Sequence, residues 1–252
     1  MGFLHKGHQS LIAVAAQQAA AVAVTIFVNP AQFGPGEDLG RYPRDLDGDL
    51  AKCKAAGASF VFAPRDPSEL YPDGFQTWLE PGALAEPLCG ARRPGHFRGV
   101  CTIVAKLFSL SRAERAFFGE KDFQQLQVLR RMAIDLDLAT EVIGCPIVRE
   151  ADGLALSSRN AYLSAEERPR AVALYRAWQA VRSAFAGGDR SVAGLESLAR
   201  GTLEQAGLRL DYAEVRGAFD LQRPEVAFGA ARLFLAAFLG KTRLIDNGPL
   251  EG

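Results

Sequence analysis

Met1-Gly2-Phe3-Leu4-His5-Lys6-Gly7-His8 opens the chain, and the rest of the fold is best read from this stretch. Two histidines bracket a glycine, and residues 9–19 behind them are helix formers with apolar positions at Leu11, Ile12, Ala15 and Ala19. The histidines therefore sit at a helix start, where unpaired backbone N–H groups and the positive end of the dipole suit a phosphate. Gly7 lets such a group approach the backbone closely. A histidine at a helix N-terminus is more often a cap or a surface residue, so the reading needs partners elsewhere.

Residues 20–28 (AAVAVTIFV) form an apolar run rich in β-branched residues, the pattern of a strand covered on both faces, ending at Asn29-Pro30. A polar loop follows through Tyr42-Pro43. Next come a helix with Leu46, Leu50 and Cys53 on one stripe, closed by Gly57, and a short strand over 59–63. This rhythm predicts an α/β fold, a Rossmann-like doubly wound parallel sheet with ligands beyond the carboxyl ends of its strands. Residues 64–99, rich in Pro, Gly and Arg, are long for a plain connection and read as a functional loop region. A helix over 100–110 and a strand over 116–118 come next. Gly119-Glu120-Lys121-Asp122 then leads into a helix carrying Leu126, Leu129 and Ala133, and a strand follows over 141–148.

The character then changes. Residues 152–160 are a polar turn, and Ser164 with Glu167 makes a capping box ahead of a helix with Leu174, Trp178, Val181 and Phe185 on one face. A second helix ends near Gly207, residues 208–215 alternate like a half-exposed strand, and 233–239 and 243–245 flank Gly240-Lys241 like a hairpin. The expected boundary lies near residue 147, dividing the chain into a domain over 1–146 and a smaller α+β domain over 147–252.

The 252 residues hold 29 basic and 29 acidic side chains, so no global field draws the chain to nucleic acid or an anionic membrane. Apolar residues at 48% and charged residues at 23% are the usage of an ordinary globular protein. The longest apolar stretch, around 233–239, is too short to span a membrane. Cys53, Cys89, Cys101 and Cys145 lie singly, without metal spacing, and read as reduced thiols of a cytoplasmic protein.

Four polar clusters fall at strand ends or loops. His5 and His8 are the first. In Asn29-Pro30-Ala31-Gln32-Phe33 two amides follow a strand, suited to the hydroxyls and carboxylate of a small substrate or, equally, to a capped turn. In Gly119-Glu120-Lys121-Asp122-Phe123-Gln124-Gln125, Lys121 suits a phosphate, Asp122 a ribose hydroxyl and Gln125 a second amide contact; an N-cap with its partner is the plain alternative. In Leu154-Ala155-Leu156-Ser157-Ser158-Arg159-Asn160, two hydroxyls and a guanidinium suit a polyphosphate. Arg92, Arg93 and Arg98 around His96 add positive charge to the long loop. No G-x-x-x-x-G-K-[ST] or G-x-G-x-x-G motif appears, so the parts suit electrostatic adenylyl transfer better than a P-loop kinase or a dinucleotide oxidoreductase.

The blocks MGFLHKGH, IFVNPAQF, RPGHFRGV, FGEKDFQQ and DGLALSSRN, in that order, with Arg243-Leu244-Ile245-Asp246-Asn247 near the close, resemble the pantothenate synthetase (pantoate–β-alanine ligase) family of the HIGH-motif nucleotidylyltransferase superfamily. The resemblance implies an ATP-dependent ligase that activates pantoate as pantoyl adenylate and passes the acyl group to β-alanine, releasing AMP and pyrophosphate. It makes His8 the proton donor, with His5 beside it on the phosphates. Met1, Gly2, Phe3, Leu4, His5, Lys6, Gly7 and His8 would line the ATP site. Gly119, Glu120, Lys121, Asp122, Val148, Leu156, Ser157, Ser158 and Arg159 would complete it. Gln32 and Gln125 would hold pantoate, Gln32 also facing β-alanine, with Asn29, Arg93 and His96 as further pocket residues. A homodimer and Mg²⁺ bridging phosphate oxygens are implied as well.

Two departures stand out. The family's metal region carries adjacent carboxylates, whereas here Gly48 stands beside Asp49, which leaves Asp49 as the candidate metal residue. Family members also have a helix and a buried strand ahead of the Met-Gly block, and this sequence begins after them, so a sheet lacking that central strand is expected. Another nucleotidyltransferase of the superfamily and a nucleotide-binding module without turnover are the competing readings.

Overall fold

The computed structural model describes residues 2–251, which divide into two compact units, residues 2–146 and 147–251. In the first, α1 (Lys6–Gln18) begins at the paired histidines and buries Ile12 and Ala15. It leads to β1 (Ala23–Thr25), which pairs in parallel with β2 (Phe60–Phe62) across α2 (Leu46–Ala55). Later α4 (His96–Ser111), β3 (Arg115–Gly119), α5 (Phe123–Asp135) and β4 (Glu141–Cys145) repeat the cycle, with β3 and β4 again parallel. Parallel strands separated by helices are the α/β arrangement expected from the sequence. They form two separate pairs, β1-β2 and β3-β4, among the described residues.

Two local expectations are corrected. The run over 20–28 is not a strand covered on both faces. Only Ala23–Thr25 enters a ladder because β2 offers three residues, and Phe60 and Phe62 are 67% and 41% exposed on the open face. Val24 and Val61, on the other face, pack against the cluster of Leu4, Ile12, Ala15, Val22, Ile26 and Cys53. In α2 the buried stripe is Asp49 and Cys53, four apart, while Leu46 and Leu50 face solvent. The cause is polar: the Asp49 carboxylate accepts from the backbone N–H groups of Phe3 (2.7 Å) and Leu4 (2.6 Å), which turns that face inward.

In the long connection between β2 and α4, short turns and the four-residue α3 (Cys89–Arg92) carry the chain to α4. Gln124 on α5 accepts from the Cys89 N–H and donates to the carbonyls of Leu84 and Pro87, so one buried amide ties down three backbone groups of this connection.

The second unit opens with a short hairpin: Leu156 N–H donates to Val148 O and Glu150 N–H to Leu154 O. The reciprocal Ser164–Glu167 bonds form as the sequence suggested. The helix behind them comes in two pieces, α6 (Glu167–Arg170) and α7 (Ala173–Ala186), with Pro169 in the first. With α8 (Val192–Gln205), α7 packs on an antiparallel sheet of β5 (Arg209–Gly217), β6 (Ala231–Leu239) and β7 (Thr242–Pro249), with β6 central. β6 is buried along almost its whole length, hence its unbroken apolar sequence.

One ion pair holds the opening hairpin to this sheet. The Arg149 guanidinium donates to both oxygens of Asp246 on β7 (2.7 and 2.9 Å) and to Gly153 O (3.0 Å), with the rings of Tyr175 and Trp178 at 4.8 and 5.4 Å. The Asp246 side chain is 1% exposed. Arg149→Ala would leave a buried carboxylate without its partner, at a cost of about 3–5 kcal/mol. Urea unfolding should show a loss of that size, and a change under about 1 kcal/mol would refute this role for the pair.

Candidate active site

In the first unit the site is built on the start of α1. Phe3 adopts a left-handed backbone (φ +53°) that few non-glycine residues take up, and the Asp49 carboxylate holds it there by accepting its N–H. His5 follows as the N-cap of α1. Its Nδ1 accepts from the Gly7 N–H (3.2 Å), while His8, in the third helical position, accepts the His5 N–H at its own Nδ1 (3.3 Å). The two imidazoles thus form a reciprocal capping box, with ring centroids 4.0 Å apart. Burial lowers the pKa of His5 to about 4, helped by the charge of Lys121; burial and then the neighbouring His5 hold His8 well below its ordinary value. A backbone N–H can only donate, so both Nδ1 atoms are unprotonated and each neutral ring carries its proton on Nε2.

Lys121 and Asp122 lie in the turn between β3 and α5, close enough that both charges act on His5. The Lys121 ammonium is 3.8 Å from Asp122, with 19% of its side chain exposed. Asp122 occupies the N-cap position of α5 but makes no side-chain capping bond, so the plain reading of Asp122 and Gln125 as cap and partner is not realised. Gln125 stands half-buried in the first turn of α5.

The Asn29–Gln32 turn lies beyond β1, and its polar groups are tied inward. Asn29, 2% exposed, accepts at Oδ1 from the Ala31 N–H and the Tyr71 hydroxyl, and donates from Nδ2 to Gly99 O and Gln32 Oε1. Gly99 is required there: a Cβ on it would stand 2.1 Å from Ala31 O. Arg93 and His96, expected as pocket residues, both bond to the backbone carbonyl of Gln32 (3.2 and 2.8 Å). The Arg93 fork also grips Glu37 (2.7 and 2.6 Å) and donates to His96 Nε2 (3.0 Å). Burial, reinforced by Arg93, lowers the His96 pKa to about 4. A carbonyl can only accept and a guanidinium can only donate, so the His96 proton is on Nδ1.

In the second unit, Val148 and Leu156 bond to each other across the opening hairpin. Ser157 caps the following 3₁₀ turn by accepting the Arg159 N–H, and Ser158 is buried. The structure brings His5, His8, Lys121 and Asp122 together in the first unit, and Val148, Leu156, Ser157, Ser158 and Arg159 along one stretch of the second. Met1 lies outside the described residues. Glu37, Tyr71 and Gln124 carried no local signal in the sequence. Of the adjacent Gln124 and Gln125, only the helix phase tells which one faces inward.

Residues 1–249 match the family described as pantoate-beta-alanine ligase. A pantothenate synthetase of Myxococcus xanthus (strain DK1622) is 56% identical over 254 residues, spanning 100% of this chain and 87% of its own. One from Anaeromyxobacter dehalogenans (strain 2CP-C) is 55% identical over 262 residues, spanning 99% and 89%. The crystal structure of pantothenate synthetase from Thermus thermophilus superimposes with a TM-score of 0.96 at 46% identity, covering 100% of this chain and 91% of that one. Pantoate-beta-alanine ligase from Francisella tularensis, complexed with beta-gamma ATP and beta-alanine, gives a TM-score of 0.84 at 34% identity, covering 100% and 88%. On the family match and on these identities, the chain belongs to the pantoate–β-alanine ligase family.

Proposed function

We propose that this protein is an enzyme that condenses pantoate with β-alanine at the expense of ATP, giving pantothenate, AMP and pyrophosphate. The observation that carries this reading is the His5–His8 capping box with the Lys121 charge beside it, in the same unit as the tethered Asn29–Gln32 turn. In the first step a pantoate carboxylate oxygen attacks the α-phosphorus of ATP, and the bond to pyrophosphate breaks. In the second the β-alanine amine attacks the acyl carbonyl, a C–N bond forms, the acyl C–O bond breaks with its electron pair leaving on AMP, and the amine proton passes to solvent. Such transfers need positioning and charge stabilisation rather than a protein nucleophile. Neutral His5 and His8 present Nε2–H groups suited to phosphate oxygens, and Lys121 supplies positive charge. Gln32 and Gln125 orient pantoate. Gly2, Phe3, Leu4, Lys6, Gly7, Gly119, Glu120, Asp122, Val148, Leu156, Ser157, Ser158 and Arg159 are the further ATP-binding residues of this reading.

Residues 1–146 are proposed as the Rossmann-like nucleotide- and pantoate-binding domain. Its two parallel pairs would belong to one doubly wound sheet. Mg²⁺ is proposed to arrive with ATP. The residues present do not fit a directly held ion. Among the described residues no three His, Cys, Asp or Glu side chains stand together as a metal cage, and both Asp49 oxygens accept backbone N–H groups with Lys52 3.6 Å away. When bound with ATP, such an ion would supply charge neutralisation for the phosphates, and the protein's own residues would not be its ligands. No helix among the described residues is long and apolar enough to cross a membrane. A cytoplasmic homodimer, with four buried free cysteines per chain, is the setting proposed.

Two experiments test these assignments. The purified chain should release AMP from ATP and Mg²⁺ only when both pantoate and β-alanine are present; ATP binding without release would favour a module lacking turnover. The chain has three histidines, so ¹⁵N NMR reads each one. Expected at pH 7 are three neutral rings, two with Nε2–H and one with Nδ1–H, and no titration between pH 6 and 7. A ring titrating at 6.5 would overturn the tautomer assignment. Because the folded values lie below the ordinary 6.5, the unfolded chain binds more protons between pH 6.5 and 4. The histidine contribution to stability is therefore complete above 6.5 and is lost as pH falls through that window.

A further inference from the structure

We infer that Tyr71 is a positioning residue for pantoate, acting through Asn29 to fix which end of the Gln32 side-chain amide is its donor end. The inference rests on the proposed reading of Gln32 as a pantoate-binding residue. Four hydrogen bonds determine the polarity. A side-chain amide has two N–H donors and two carbonyl lone pairs, and Asn29 uses all four: Oδ1 toward Ala31 N–H (3.3 Å) and the Tyr71 hydroxyl (2.8 Å), Nδ2 toward Gly99 O (3.1 Å) and Gln32 Oε1 (3.2 Å). Gly99 O can only accept and Ala31 N–H can only donate, so Asn29 has one admissible orientation. Tyr71 supports that orientation by donating. Gln32 must then turn its oxygen toward Asn29, which leaves Nε2 as the donor branch, the polarity that a carboxylate or hydroxyl oxygen requires.

Tyr71 is itself held for this task. Its ring stacks on Trp78 (5.8 Å between centroids) and meets Phe75 edge-on (5.1 Å), while Arg98 lies 4.5 Å over the Trp78 ring. Burial pushes the Tyr71 hydroxyl up to about 12, so it stays a donor across the working pH range. Asn29 is 2% exposed, and without the hydroxyl its Oδ1 keeps a single long bond. The Asn29–Gln32 pair then loses the group that polarises it, and the Gln32 amide is less firmly oriented.

The test is Tyr71→Phe, which keeps the ring and its aromatic contacts and removes only the hydroxyl. One net hydrogen bond of about 0.5–1.5 kcal/mol corresponds to roughly a two- to tenfold change. The expected result is a rise of up to roughly that size in KM for pantoate, with KM for ATP nearly unchanged and the melting temperature lower by no more than a few degrees. In a Gln32→Ala background the same substitution should add nothing to the pantoate KM, because its target is gone. An unchanged pantoate KM in Y71F, or equal effects of Y71F with and without Gln32, would overturn the inference. A parallel rise in KM for ATP would also overturn it, since a general loosening of the fold would then suffice. If the unsubstituted protein shows no pantoate-dependent AMP release, the function assignment fails instead, and the two failures are distinguishable.

Discussion

The bond from the Asp49 carboxylate to the Phe3 and Leu4 N–H groups governs the first unit. Its two oxygens satisfy consecutive backbone donors that would otherwise be buried without partners near the start of α1. That pairing keeps Phe3 in its left-handed conformation and aims the following residue so that His5 becomes the cap of α1. It also dictates how α2 rolls. To deliver Asp49 inward, the helix presents its Asp49–Cys53 stripe to the core and leaves Leu46 and Leu50 in water. A charge-assisted bond to backbone amides outweighs the partial burial of two leucines, because a buried carboxylate without donors costs several kcal/mol.

Once the turn is fixed, the histidines cap the helix with their own rings. Accepting backbone protons at Nδ1 leaves both rings neutral with Nε2–H facing away from the helix, a state that burial and Lys121 reinforce. The capping role and the candidate catalytic role are therefore two ends of one imidazole. In the sequence a histidine cap and a functional histidine stand as alternatives, and the geometry lets one ring do both.

Much of this organisation was legible in the chain. The helix start at the histidines, the parallel α/β cycle, the Ser164–Glu167 box and the β6–β7 hairpin about Gly240-Lys241 follow from periodicity and turn residues that act locally. What escaped depends on distant partners. The inward face of α2 is set by Phe3 and Leu4, forty-five or more residues away. The extent of β1 is set by the three residues β2 can offer, and no pattern within residues 20–28 contains that information. Gln124 and Gln125 differ only in helix phase, so one ties down a loop while the other stands half-buried.

The same distinction sorts the polar residues gathered around the Asn29–Gln32 turn. Residue type announced Asn29, Arg93 and His96 as binding groups, yet hydrogen-bond capacity decides what each can do. Asn29 has all four positions filled within the fold, the Arg93 fork is gripped by Glu37, and both His96 nitrogens are engaged. Arg93 and His96 converge on one backbone carbonyl, that of Gln32, and Asn29 takes hold of its side chain. Three polar groups thus act on a fourth, while Gly99 lets α4 approach close enough for the whole set to meet. Weak individual bonds suffice for such work because each removes a different freedom of one short turn: its height above α4, its backbone carbonyl and its amide polarity. A group whose bonds are internal acts on its neighbour by restricting it, and in this fold Arg93, His96 and Asn29 all restrict Gln32.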